Sequence, residues 1–208
     1  ARTLSTSGTT VPVTLSWAGS DGAGSGLAGY ELEQSTDGGT TWNPLSTVSG
    51  ASDIVQAATD TTYVFRVRPL DVGGNAGEWS QSAPVNYSVI QETPSSDIVY
   101  TGRWTSASYS WAVDGAVRSA VAAGRQVTIG FEGSAIAWVG TSGPAHGIAM
   151  VYLDGVYVQT VDLYAPSPTR REVVFRASVT PGPHTLQIRV TGTKHASATG
   201  AVVLVDAF

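Results

Sequence analysis

Cysteine is absent from this chain, and lysine occurs once, at Lys194. The first absence excludes disulfide staples, thiolate zinc sites and thiol nucleophiles together. It leaves export open, because a β-sandwich can stand on its hydrophobic core alone. Positive charge is scarce as well: 11 Lys and Arg face 16 Asp and Glu, for a net charge of −5. The arginines are scattered, so no basic stripe is offered to a phosphate backbone or an anionic lipid, and neither nucleic acid nor membrane is an expected partner. No apolar run approaches the ~20 residues that a membrane-spanning helix needs, and no signal peptide is recognisable. The start at Ala1 and the stop at Phe208, on an apolar strand, give the expectation of a piece excised from a larger parent protein.

Charged residues make up only 13% of the chain, against 24 Gly and 10 Pro, so turns are frequent and amphipathic helices have little material. Hydrophobic residues at 42% of 208 are enough for two cores of the β-sandwich type, each of about 100 residues. Short runs with period-two alternation recur between turn clusters such as Asp37-Gly38-Gly39, Gly73-Gly74-Asn75 and Pro181-Gly182-Pro183. The expectation is an all-β chain of two β-sandwich domains. The polar stretch Gln91-Glu92-Thr93-Pro94-Ser95-Ser96 breaks the pattern, which places one domain at residues 1–90, a linker at 91–96 and a second domain at 97–208.

In the first half, Trp17, Tyr30-Glu31-Leu32-Glu33, Asp37-Gly38-Gly39-Thr40-Thr41-Trp42, Tyr63-Val64-Phe65-Arg66-Val67-Arg68, Asp71-Val72-Gly73-Gly74-Asn75 and Trp79-Ser80 follow one another. That run resembles bacterial fibronectin type III domains of the immunoglobulin-like sandwich class. The resemblance implies that Trp17 and Tyr63 pack together in the core and that the Asp-Gly-Gly turn joins neighbouring strands.

The second half shows at least seven strand-like segments. It carries Phe131-Glu132-Gly133-Ser134-Ala135-Ile136-Ala137-Trp138-Val139-Gly140, Ala149-Met150-Val151-Tyr152-Leu153-Asp154-Gly155, Val161-Asp162-Leu163-Tyr164, Pro181-Gly182-Pro183-His184-Thr185-Leu186 and Val205-Asp206-Ala207-Phe208. These segments look like the galactose-binding-like jelly rolls appended to bacterial polysaccharide hydrolases, esterases and cell-wall enzymes. The resemblance implies a secreted or cell-surface parent multidomain protein and a polysaccharide or glycan ligand. No cofactor is expected. Asp206 matches a position where related jelly rolls often hold a structural calcium, without identifiable loop ligands, and the Gly-rich loop opening at Asp21 is a second calcium candidate that needs no ion to form.

Catalytic motifs fail on inspection. Gly140-Thr141-Ser142-Gly143-Pro144 frames a serine, but His146, His184 and His195 all follow it, opposite to the chymotrypsin-like order, and the Ser, Asp, His order would need a strand-to-helix elbow. The three His lack metal-ligand spacing, and Asp154-Gly155 reads as a hairpin turn rather than half of an acid pair. Aromatic residues are more informative. A sugar offers a C–H face to a ring and hydroxyls to planar polar groups, and Arg103-Trp104-Thr105-Ser106-Ala107-Ser108-Tyr109-Ser110-Trp111 has that chemistry without clean alternation. Trp104, Tyr109, Trp111, Arg118, His146 and Tyr164 are therefore the candidate carbohydrate-binding residues, while Trp138 alternates with Ile136 and is assigned to the core. The expected role is a non-catalytic targeting module with a spacer; the alternative is a structural or adhesive stalk making protein contacts in a surface assembly.

Overall fold

The computed structural model describes residues 3–5, 7–19 and 26–208, so the candidate loop residue Asp21 lies outside the described residues. The fold is all-β, with fifteen strands and one 3-10 turn among the described residues. It divides into two compact units, one formed by Thr10–Ser88 and the other by Val89–Phe208 together with the N-terminal residues up to Thr9.

The first unit contains β1 (Thr10–Ser16), β2 (Leu27–Ser35), β3 (Asn43–Val48), β4 (Ser52–Ala58), β5 (Thr62–Asp71), β6 (Ser80–Gln81) and β7 (Val85–Asn86). β1 pairs antiparallel with β4, while the other sheet runs β3-β2-β5-β6, with β7 also on β5. Alternation explains the core: Val13, Val55, Ala57, Tyr63 and Phe65 are buried together, with Tyr63 and Phe65 stacked at 5.5 Å. The opposite side of β5 carries Arg66 and Arg68, paired with Glu33 and Glu31 across the strand. The Arg66 guanidinium lies 4.0 Å from the ring centre of Trp42 and 4.2 Å from that of Trp79. The Asp37 turn joins β2 to β3, and its carboxylate accepts bonds from the Thr41 hydroxyl, the Thr40 and Thr41 amides and Ser35, which hold it well below the usual carboxylate range. The ring contacts differ from the implied Trp17 and Tyr63 pair: Trp17 meets Tyr30 edge-on at 5.5 Å.

The second unit contains β8 (Ile98–Thr101), β9 (Thr105–Ser108), a 3-10 turn at Val113–Gly115, β10 (Ala116–Ala120), β11 (Gln126–Ser142), β12 (Ile148–Leu153), β13 (Val156–Asp162), β14 (Thr169–Val190) and β15 (Val203–Val205). One sheet runs β13-β12-β14-β11-β8 and the other β15-β10-β9. Between them Ile98, Val127, Ile129, Val151, Leu186 and Ile188 from the large sheet meet Ala120, Val203 and Val205 from the small one. β11 and β14 are unusually long because three register shifts bend the pair without breaking it. Trp138, as assigned, is fully buried, and its ring N–H donates to the Leu204 carbonyl at 3.1 Å.

Residues 91–96 are part of this unit and are not a free linker. Ile90 and Phe208 exchange both backbone bonds at 2.7 Å, Gln91 bridges to Ala207, and Tyr100 donates to the Glu92 carbonyl at 2.6 Å. Polar composition suggested a linker, but Glu92 is buried. The N-terminal residues also belong here and not with the first unit. Leu4 is buried, its amide donates to the Arg171 carbonyl at 2.9 Å, and its own carbonyl accepts from the Arg171 guanidinium at 2.9 Å.

Candidate functional site

The small sheet separates its side chains into two rows. Arg118, Ala120, Val203 and Val205 occupy alternate positions, the last three in the core, while Ala107, Val117, Ser119 and Leu204 take the other row by register. That second row, with Val202, forms the floor of a concavity of about 410 Å³ whose other lining residues are Tyr109, Trp111, Thr141, His146, Pro168 and Arg170. Ala112, Val117 and Leu204 make a small apolar cluster against which Trp111 and Ala107 pack, so the floor is mainly apolar.

The rim is aromatic and polar. Tyr109 and Trp111 stack at 4.8 Å with their planes 20° apart, and the Arg170 guanidinium lies 5.0 Å from the Trp111 ring centre. Trp111 thus has two planar partners already, whereas Tyr109 is 45% exposed. Arg171, at φ 53°, is in left-handed backbone next to a register shift, which turns the strand locally; Arg170 faces the concavity while Arg171 reaches Leu4. Thr141 is only 4% exposed, and its hydroxyl has no hydrogen-bond partner. The His146 ring is half-buried against Gly143, and burial pushes this imidazole below its usual value, opposed by a backbone bond at Gly143.

Of the six residues expected at a site, the structure brings three together: Tyr109, Trp111 and His146. Trp104 is corrected to the core, edge-on to Tyr100 at 5.2 Å, because β9 begins just after it and the stretch is not the loop its sequence suggested. Arg118 is in the row of the small sheet opposite the concavity, with its guanidinium over the Tyr100 ring at 5.1 Å. Tyr164 does not line the concavity either; it stacks on His195 at 4.5 Å. Sequence reasoning missed Thr141 and Arg170. Arg170 had a usable signal, since Pro166-Ser167-Pro168-Thr169-Arg170 is a non-alternating segment bearing a planar cation. Thr141, inside a strand, had none.

The remaining reactive groups are engaged elsewhere. Ser142 donates to the Glu172 carboxylate at 2.7 Å across the β11 and β14 ladder. His184 bonds Asp154 at 2.6 Å and the Thr180 carbonyl at 2.8 Å, tying two turns together. Asp206 is fully buried; one carboxylate oxygen accepts from the Val113 amide at 2.9 Å, the other has no partner, and burial pushes the group up to about 7. Among the described residues no three or more His, Cys, Asp or Glu side chains gather as a metal site.

No protein-family profile matches the chain. It is 31% identical over 119 residues, 57% of its length and 11% of the relative's, to the A type blood alpha-D-galactosamine galactosaminidase of Flavonifractor plautii. It is 29% identical over 159 residues, 68% of its length and 20% of the relative's, to the A type blood N-acetyl-alpha-D-galactosamine deacetylase of the same organism. Over 80 residues, 38% of its length, it is 42% identical to 7% of endoglucanase B of Cellulomonas fimi. The chain therefore spans between 7% and 20% of the curated relatives it matches. Among solved structures, a Paenibacillus xanthan lyase matches with a TM-score of 0.42 and 14% identity over 97% of this chain and 19% of that one. Likeness at this level bears on neither the site nor its ligand.

Proposed function

We propose that this chain is a non-catalytic carbohydrate-binding module with an attached spacer, part of a secreted or cell-surface protein that acts on or attaches to polysaccharide. The second unit, read as a galactose-binding-like jelly roll, carries the site; the first, read as a fibronectin type III domain, sets distance and orientation. The observation that carries this reading is the concavity: an apolar floor, a stacked Tyr109 and Trp111 pair at its rim, and the Arg170 guanidinium beside them. A pyranose has the matching surface, one face of C–H groups and an edge of hydroxyls. Two further facts support it. The curated relatives are enzymes named for sugar substrates, of which this chain matches a minor part, as an accessory module would. The Ser142 hydroxyl, in the Gly140-Thr141-Ser142-Gly143 segment weighed above as a nucleophile motif, is engaged in a cross-strand bond to Glu172.

Exposed ring area is small, so single-site binding falls between about millimolar and about micromolar, and repetition within a parent protein would raise it by avidity. A glycan array on the 208-residue chain, followed by calorimetry with the best oligosaccharide, tests the reading. Binding that Tyr109→Ala weakens about tenfold or more supports it; silence across the array contradicts it.

A stalk or adhesive role is the second reading. Val156, Tyr157 and Val158 are exposed on β13, the edge of the large sheet, and this apolar edge is a protein-contact surface in that reading.

A further inference from the structure

The concavity has a charge pattern as well as a shape. Arg170 is the one Arg or Lys among its lining residues, and no Asp or Glu lines it. Arg170 takes no part in the ion pairs of Arg66, Arg68 and His184; its contact is with the Trp111 ring, 5.0 Å from the ring centre. Glu172, two residues further along β14, is occupied by the Ser142 hydroxyl. A cation without an acid is thus held at a concave site in a chain whose net charge is −5. A guanidinium steadied against an indole keeps its planar fork of N–H donors, which matches a carboxylate with two parallel bonds.

The rest of the lining narrows the ligand further. An apolar face fits the exposed Tyr109 ring and the floor around Val117 and Leu204. A neutral sugar satisfies the ring and the floor and leaves the Arg170 fork without an anion. Resting on the reading of this concavity as a sugar site, we infer that its ligand is an acidic saccharide, a pyranose bearing a carboxylate, with the carboxylate on Arg170 and the ring face on Tyr109.

Calorimetric titration of the whole chain tests this with oligosaccharides from polygalacturonate, alginate and hyaluronan, each beside its carboxyl-reduced counterpart. The expected result is that at least one acidic oligosaccharide binds about tenfold or more tightly than its reduced form. Arg170→Gln should erase that preference with little change in thermal midpoint, and Arg170→Lys should keep part of it. Raising salt from about 0.05 to about 0.5 M should weaken the acidic ligand and spare the reduced one. Equal affinity for both forms, unmoved by Arg170→Gln, overturns the acidic ligand; if Tyr109→Ala still removes binding, the sugar-site reading survives that result. A sulfated, carboxylate-free galactan binding more tightly than every uronate also overturns it. Failure of all acidic and reduced probes to bind overturns this inference, and silence across a broad glycan array as well would take the sugar-site reading with it.

Discussion

Trp104 and Tyr109 stand five residues apart in one polar, ring-rich stretch, yet they do different work. Trp104 joins the cluster that includes Ile98, Val127 and Val205, so Trp104→Ala should lower stability by about 3 to 5 kcal/mol, seen as a large drop in thermal midpoint. Tyr109 is 45% exposed, so Tyr109→Ala should leave the midpoint nearly unchanged and act on binding alone. Both rings drew attention in the sequence, but a ring's type does not reveal which way its strand turns. Asp206 gives a residue-scale prediction in pH. Burial, aided by the nearby Glu92 charge, raises its folded value to about 7, while the Val113 amide and Arg171 oppose the shift. The folded state therefore holds a proton that the unfolded state releases between about pH 4 and about pH 7, and stability falls as pH rises through that window, by on the order of a few kcal/mol. Above about 7 this contribution is flat. Asp206→Asn keeps an acceptor for Val113 and removes the charge, so urea melts at pH 5 and pH 8 should differ less for the variant than for the parent. An unchanged difference would contradict the assignment. Glu92, also raised by burial, leaves a residual slope of the same sign.

At the scale of elements, the site is a consequence of period two on a three-stranded sheet. Arg118 and Ser119 are neighbours in β10, yet register places them in opposite rows. Ser119→Phe should fill the concavity and abolish binding while the core stays folded, as a thermal melt beside a titration would show. Arg118→Ala should act in reverse, loosening the packing on Tyr100 and sparing the ligand. Retained binding by Ser119→Phe would place the site elsewhere. The strands with strong alternation, such as Val127, Ile129 and Phe131 in β11, were legible from sequence. β9 and β10 were not, because Thr105-Ser106-Ala107-Ser108 carries small and polar residues whose burial depends on strands distant in the chain. The edge at Ile90 and Phe208 was hidden for a similar reason, as backbone pairing leaves little mark on side-chain composition.

On the scale of the whole molecule, the two compact units should unfold as separate transitions in calorimetry. The cut must respect the backbone pairing. A fragment beginning at Val89 keeps the Ile90 and Phe208 exchange and the Tyr100 bond to Glu92, while one beginning at Asp97 loses both. The longer fragment should therefore melt clearly higher; equal midpoints would show that residues 89–96 contribute nothing. Two successive sandwiches were legible from length and turn spacing, but not the return of the N-terminal residues to the second unit, since Leu4 in a polar segment gives no sign of its partner Arg171. The central claim, that the concavity on the small sheet binds saccharide, is tested most directly by titrating an array-selected oligosaccharide into isotope-labelled protein and mapping the amide shifts by NMR. The account predicts saturable shifts concentrated at Ala107, Tyr109, Trp111, Ser119, Thr141, His146 and Arg170, with the first unit unmoved. Saturable shifts confined to the β13 edge or to the first unit would contradict it.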